Sequence, residues 1–154
     1  MNLYIIDGNN IIGKVRSLFA LQKKDKQGAR EKLAFMVDNY FQVKKVKVSL
    51  HFDGFENLKI KTSKIKIIYS NKKEADQIIK DQISQTKNKK QIIVVTSDSN
   101  LAEFAKVCRC EVISSEEFGK RLTEKKSKDI EEDIIKKLDT PGNIREFQKL
   151  FNGK

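Results

Sequence analysis

Four aspartates stand where an apolar run meets a polar turn or where a helix is expected to begin: Asp7, Asp53, Asp76 and Asp98. Carboxylates gathered about 5 Å apart repel by roughly 3 kcal/mol per pair at an effective dielectric near 20. A shared proton relieves one pair, but three or four acids call for a divalent cation. Oxygen ligands with retained waters suit Mg2+ or Mn2+, whereas zinc wants nitrogen and sulfur, of which the chain offers one histidine and two cysteines. A cation held by aspartates activates water and neutralises charge on a phosphodiester. Asn10, Ser97, Ser99 and Asn100 stand beside these acids, placed to orient that water or a phosphate oxygen. Three of the acids have a structural reading on their own: Asp98 as a helix cap, Asp76 as a complement to a positive helix end, Asp53-Gly54 as a turn. Asp7 resists such a reading, because an acid that closes a fully buried strand does nothing for folding. The coincidence of four carries the argument.

What must position them is a sheet. Leu3-Tyr4-Ile5-Ile6 and Ile92-Ile93-Val94-Val95 are continuous apolar runs, the pattern of strands buried on both faces. Val46-Lys47-Val48-Ser49-Leu50-His51-Phe52 alternates, which predicts a strand buried more on one face. His51, the only histidine, is expected on its polar side rather than as a catalytic base. Residues 58–69 read as a lysine-rich edge strand or ragged hairpin, and Glu111-Val112-Ile113 as a short strand.

Between them lie helices. Residues 11–21 look helical and lose pattern in a solvated loop at Lys23-Lys24-Asp25-Lys26. Leu33, Met36, Val37, Tyr40 and Phe41 form one stripe that closes at Lys44-Lys45. Asn71 and Glu74 have capping-box spacing ahead of Ala75, Ile78, Ile79, Gln82 and Ile83. Leu101, Phe104, Ala105 and Cys108 mark another helix, and Ser114 with Glu117 caps one that runs through Leu122. Strands alternating with helices predict a three-layer α/β sandwich around a mostly parallel sheet. The two wholly apolar strands belong in its middle, so the order 3-2-1-4-5 is expected, with the ligand site at the switch between strands one and four. Strand ends and the starts of the following helices share one rim, where the four acids converge.

Residues 1–123 are expected to form this core and 124–154 a helical extension, marked by Ile130, Ile134 and Leu138 and by Ile144, Phe147, Leu150 and Phe151. Those stripes would pack on the core or dock a protein partner. A net charge of +11 and a pI near 9.6 favour polyanions, nucleic acid first, although a lysine-default surface would give the same excess. No apolar run approaches the roughly 18 residues that span a bilayer. The N-terminus enters a strand with no basic-then-apolar leader, so a cytoplasmic protein with no membrane partner is expected. Cys108 and Cys110, separated only by Arg109, read as reduced structural thiols.

Ile5-Ile6-Asp7-Gly8-Asn9-Asn10, Phe52-Asp53-Gly54, Glu74-Ala75-Asp76-Gln77-Ile78-Ile79, Val95-Thr96-Ser97-Asp98 and Ser114-Ser115-Glu116-Glu117-Phe118 together resemble the PIN-like nuclease superfamily, specifically its YacP-like NYN group. The segments stand in family order over roughly residues 3–122. The resemblance implies a metal-dependent ribonuclease fold, with Asp7, Asp76 and Asp98 as the metal-binding core and Asp53 a secondary member. Asn10 matches the polar position after the first acid, and Asn9 stands where relatives often carry an aromatic. It also implies RNA as substrate, its class left open; some relatives act in association with ribosomes. RNA needs counter-charge around an acidic centre: Lys14, Arg16, Lys72 and Lys73 flank the rim, and Phe55 is placed to stack on a base.

The function expected is therefore an Mg2+- or Mn2+-dependent endoribonuclease that uses a metal-activated water, with Asp7, Asp76, Asp98, Asp53 and Asn10 at its centre. The alternatives are a catalytically inactive RNA- or ribosome-binding adaptor on the same fold, and a PIN-type toxin. A phosphatase with a nucleophilic aspartate fits less well, since Asp7-Gly8-Asn9 lacks the second acid two residues on.

Overall fold

Leu3-Tyr4-Ile5-Ile6 is apolar throughout because its strand has neighbours on both sides and helices on both faces. In the computed structural model, which describes residues 1–124, β1 (Asn2–Asp7) pairs in parallel with β2 (Val46–Phe52) and with β4 (Ile92–Val95). β3 (Lys66–Tyr69) adds to β2, and β5 (Glu111–Ile113) adds to β4, again in parallel. The order is β3-β2-β1-β4-β5, as expected for a doubly wound sheet whose switch point lies between β1 and β4. Met1–Lys120 forms one compact unit that holds the whole sheet; Arg121 starts a second, of which residues 121–124 are helical. The helices expected around 130–138 and 144–151 lie outside the described residues.

The first crossover carries α1 (Gly8–Lys14), α2 (Arg16–Lys24) and α3 (Lys26–Tyr40); α4 (Ala75–Gln85), α5 (Ser99–Val107) and a helix that begins at 115 follow in order. On one face of the sheet Ile5, Ile92 and Val94 pack with Ile79 and Ile83 of α4 and Leu101 and Ala105 of α5. Neighbouring strand residues point to opposite faces, so Tyr4 turns to the other side, where its ring lies 4.7 Å from Phe41 and Phe41 stacks 6.0 Å from Phe118. Cys110 is buried and Cys108 half-buried, both as free thiols. Among the described residues no helix is long and apolar enough to cross a membrane.

Several local expectations change. The helix expected over 11–21 breaks at Val15, which adopts an extended backbone (φ −101°, ψ 116°) between α1 and α2. The solvated loop after it shrinks to Asp25, whose carboxylate accepts the Gly28 N–H at 2.9 Å and starts α3. That helix stops at Tyr40 rather than at the lysine pair, because Phe41 leaves the helix to enter the aromatic cluster. Of the expected edge strand only Lys66–Tyr69 pairs. Asp38 on α3 accepts the N–H groups of Ser63, Lys64 and Ile65 at 3.1, 2.7 and 3.0 Å, holding the preceding turn in place of a hairpin. β2 is buried on both faces from Val48 to Phe52. Its polar residues are satisfied internally: His51 Nε2 lies 2.7 Å from Gln82 Oε1, and Gln82 Nε2 donates to Ser49 Oγ at 2.9 Å. His51 is thus a buried structural residue rather than one on a polar face, and burial lowers its pKa.

Candidate active site

Asp7 ends β1 at the switch point and is only 8% exposed. Thr96, two residues before α5's cap, donates its hydroxyl to Asp7 Oδ2 at 3.0 Å, and the Asn10 backbone N–H also serves the carboxylate. Burial nevertheless pushes the Asp7 pKa up to about 6, against the Thr96 and Asn10 hydrogen bonds and with help from the charges of Asp53 and Asp98. The turn into α1 must hug β2 to keep Asp7 there. A Cβ on Gly8 would meet the His51 carbonyl oxygen at 2.6 Å and the Phe52 ring at 2.8 Å, so only glycine fits.

The other acids arrive from neighbouring elements. Asp53, one residue beyond β2, is held from three sides. Asn9 Oδ1 accepts its N–H at 2.7 Å, the Arg30 guanidinium donates to its carbonyl, and its own Oδ1 accepts the Ala75 N–H at 2.7 Å. That last bond caps α4, which explains why the helix starts at Ala75 and not near Asn71. Asn71 sits at φ 59°, Glu74 takes the cap position without a side-chain bond, and the cap comes from another strand. Asp76 occupies the first turn of α4. Asp98 caps α5 by accepting the Leu101 N–H at 3.0 Å, while its own N–H donates to Thr96 Oγ at 3.1 Å. Thr96 therefore links Asp7 to Asp98.

These residues line one open cleft of about 550 Å3, walled by Asp7, Asn9, Asn10, Asp53, Glu74, Ala75, Asp76 and Asp98. All four sequence-predicted acids face it, joined by Glu74, and its wall contains no basic residue. The remaining predicted residues divide. Asn10 lines the cleft, but its Oδ1 is committed to the Ser97 N–H at 2.9 Å and the Ser115 hydroxyl at 2.6 Å. Ser97 donates its hydroxyl to Glu116 and accepts the Ser115 N–H at 2.9 Å, so it braces the rim. Its bond holds the Glu116 carboxyl below the usual range. Ser99 and Asn100 open α5, exposed. Lys14, Arg16, Lys72, Lys73 and Phe55 are exposed and stand outside the cleft wall.

Thr96, Glu74, Asn9 and Arg30 are the residues that reading the sequence missed. Thr96 and Glu74 sat inside the quoted motifs. Arg30 carries no sequence signal: it is a cation on a helix stripe, yet it is 5% exposed, with its guanidinium 5.5 Å from the Phe52 ring and 5.4 Å from the Tyr69 ring.

The donor chemistry of the wall is all oxygen, carboxylate and amide, which fits a hard divalent cation. The two capping aspartates each use one carboxylate oxygen in their caps, which leaves the second for a ligand. As arranged, no three His, Cys, Asp or Glu side chains among the described residues enclose a metal position.

A parallel 3-2-1-4-5 sheet with an acidic cleft at its strand ends is the arrangement of PIN-like α/β domains. Residues 4–149 match the YacP-like NYN domain, and the chain belongs to that family, one of the PIN-like nuclease families. The match continues past the core into residues beyond 124, so the family's own extent includes most of the tail. Two crystal structures of Rae1 (YacP) from Bacillus subtilis share the fold. A tryptophan-to-leucine variant aligns at TM-score 0.72 and 22% identity over 88% of this chain and 82% of that one. The other structure aligns at 0.69 and 21% over 99% and 92%. No curated protein sequence matches the chain significantly.

Proposed function

We propose that this protein is an Mg2+- or Mn2+-dependent endoribonuclease. The observation that carries this reading is the cleft wall: five carboxylates from four different segments converge where the sheet switches direction, with no cation among them. Asp7, Asp76 and Asp98 are the proposed metal ligands. A divalent cation bound there would polarise a phosphodiester and make water nucleophilic near neutral pH. Asp53 acts by fixing α4, and hence Asp76, through the Ala75 N–H. Asn10 acts by tying the Ser97 backbone N–H and the Ser115 hydroxyl to the start of α1. Ser99 and Asn100, at the start of α5, offer hydroxyl, amide and free N–H groups to a phosphate oxygen. Lys14, Arg16, Lys72 and Lys73 supply the outer positive charge that brings RNA to an acidic centre. The catalytic domain is proposed as residues 1–123 with 124–154 as its helical extension, working in the cytoplasm, where ribosome-bound RNA is one candidate substrate.

Labelled RNA incubated with the protein in Mg2+ or Mn2+ should be cut internally, and EDTA should stop the cleavage. Asp7→Asn and Asp98→Asn should each lower the rate by about 100-fold or more. Equal cleavage with and without EDTA and in both variants would overturn the reading. The absence, among the described residues, of a closed three-ligand group favours one second reading, an RNA-binding adaptor without turnover. That reading expects salt-sensitive RNA binding that survives loss of the acids, with no cleavage in any cation.

A further inference from the structure

The loop that leaves Asp53 is pinned from beneath and carries an aromatic ring outward. Arg30 donates to the carbonyls of Asp53 and Phe55, the latter at 3.0 Å, and Gln27 donates to the Leu58 carbonyl at 3.1 Å. Gly54 donates to Ser70 Oγ at 2.9 Å and accepts the Asn71 N–H at 2.8 Å. Gly54 and Asn71 are both in the left-handed region, at φ 83° and 59°, so two tight turns are laced together at the cleft's edge. The loop's backbone groups are bonded and the arginine beneath it is buried, yet Phe55 remains 60% exposed. The laced turn continues directly into Lys72 and Lys73, both exposed, before Glu74 and Asp76 return to the cleft.

We propose that Phe55 is a base-stacking subsite, with Lys72 and Lys73 taking the adjoining phosphates of the same strand. The inference rests on RNA being the substrate of the acidic cleft and adds how the strand is held. A ring on a pre-ordered loop loses little entropy when a base covers it. Two residues of chain separate Phe55 from Asp53, at most about 7 Å, so the stacked base belongs to a nucleotide close to the one cut. Stacking needs an unpaired base, so an oligonucleotide should engage the ring when single-stranded and not within a duplex.

The chain has no tryptophan, so Phe55→Trp installs a lone indole at the subsite. It is made in an Asp7→Asn background to leave the strand uncut, and a single-stranded oligouridylate with an end label is titrated in. Anisotropy of the label reports binding while indole emission reports stacking. The expected result is quenching that saturates with the anisotropy. Phe55→Ala should weaken binding by about 5- to 150-fold and Phe55→Tyr should restore it. Lys72→Gln with Lys73→Gln should lower the slope of log affinity against log salt by about 1.4. Binding without quenching, Phe55→Ala binding like the parent, or no binding by the parent would each overturn the subsite. Cleavage assays of the wild-type protein judge the nuclease separately. A cleaving protein with an unquenched indole refutes the subsite alone, and a quenched indole in a protein that never cleaves refutes the nuclease alone.

Discussion

Asp7→Asn should make the protein more stable at neutral pH while abolishing the proposed RNA cleavage. The folded chain holds the Asp7 pKa at about 6, against 3.8 for the unperturbed carboxyl, chiefly by burial. Because the folded pKa is raised, the native state binds more protons than the unfolded state between those two values. Stability therefore falls as pH rises through that window, and the full penalty is present above about pH 6. Two pKa units correspond to about 3 kcal/mol. Asparagine is neutral and nearly isosteric, and its oxygen still accepts the Thr96 hydroxyl. Its amide nitrogen cannot accept a second N–H, which returns about 1 kcal/mol. The net gain at pH 7.5 in EDTA is thus about 2 kcal/mol, or roughly 4–8 °C in Tm. Thermal melts of both proteins across pH 4 to 8 measure it. The gap should close toward pH 4, where Asp7 is protonated in the wild type as well. Added Mg2+ should raise the wild-type Tm and leave the variant's unchanged, by about 2.7 kcal/mol at a concentration 100 times Kd. A variant that melts below the wild type at pH 7.5, or a gap that does not vary with pH, would show that burial of the Asp7 charge does not destabilise the fold.

Two further substitutions test the frame around the acids. Arg30→Lys removes the planar fork that holds the Asp53 and Phe55 carbonyls and the guanidinium plane that lies over the Phe52 and Tyr69 rings. It should cost about 2–4 kcal/mol in urea unfolding and slow cleavage by loosening Asp53; a wild-type midpoint would show that the clasp is idle. Asp38→Asn weakens the acceptor for Ser63, Lys64 and Ile65. Burial acts to raise the Asp38 pKa, but those backbone donors outweigh it and hold the carboxyl below 3.8. Its contribution is present above that value and is lost as pH falls through the lower folded one. The variant should therefore lose about 1 kcal/mol at pH 7 and show a flatter acid limb in pH-dependent melts.

The order of the sheet was legible because two four-residue apolar runs have only one place to go, the middle. The positions of the acids were legible for a related reason: strand ends in a parallel sheet share a rim, whatever the loops between them do. What could not be read was the bracing. Thr96 reaches Asp7 across 89 residues of chain, Ser97 and Ser115 reach Asn10 across 87 and 105, and Arg30 reaches Asp53 across 23. No local pattern encodes such pairs. The same cause misplaced the start of α4: the capping-box spacing at Asn71 and Glu74 was a sound local signal, but Asp53 offered the Ala75 N–H a better acceptor from another strand. Ser97 shows the converse, a hydroxyl assigned to phosphate from its neighbourhood and spent instead on Glu116 and Ser115.

One distinction made from sequence does not survive folding. By sequence Asp98 is either a helix cap or a ligand, and Asp53 either a turn residue or a member of the acidic site. Both cap a helix through Oδ1, and both line the cleft. A carboxylate has two oxygens, and a cap engages only one. The cap also fixes the side-chain torsions, so the remaining oxygen is presented at a set place on the rim instead of being swept through solvent. Helix capping thus keeps these acids at the cleft, while Asp7 is destabilised there chiefly by burial and less by their charges. Replacing the local cap Asp98 with serine, which keeps the helix start but removes the second oxygen, separates the two roles. Stability should change by less than about 1 kcal/mol, while cation-induced stabilisation should be lost.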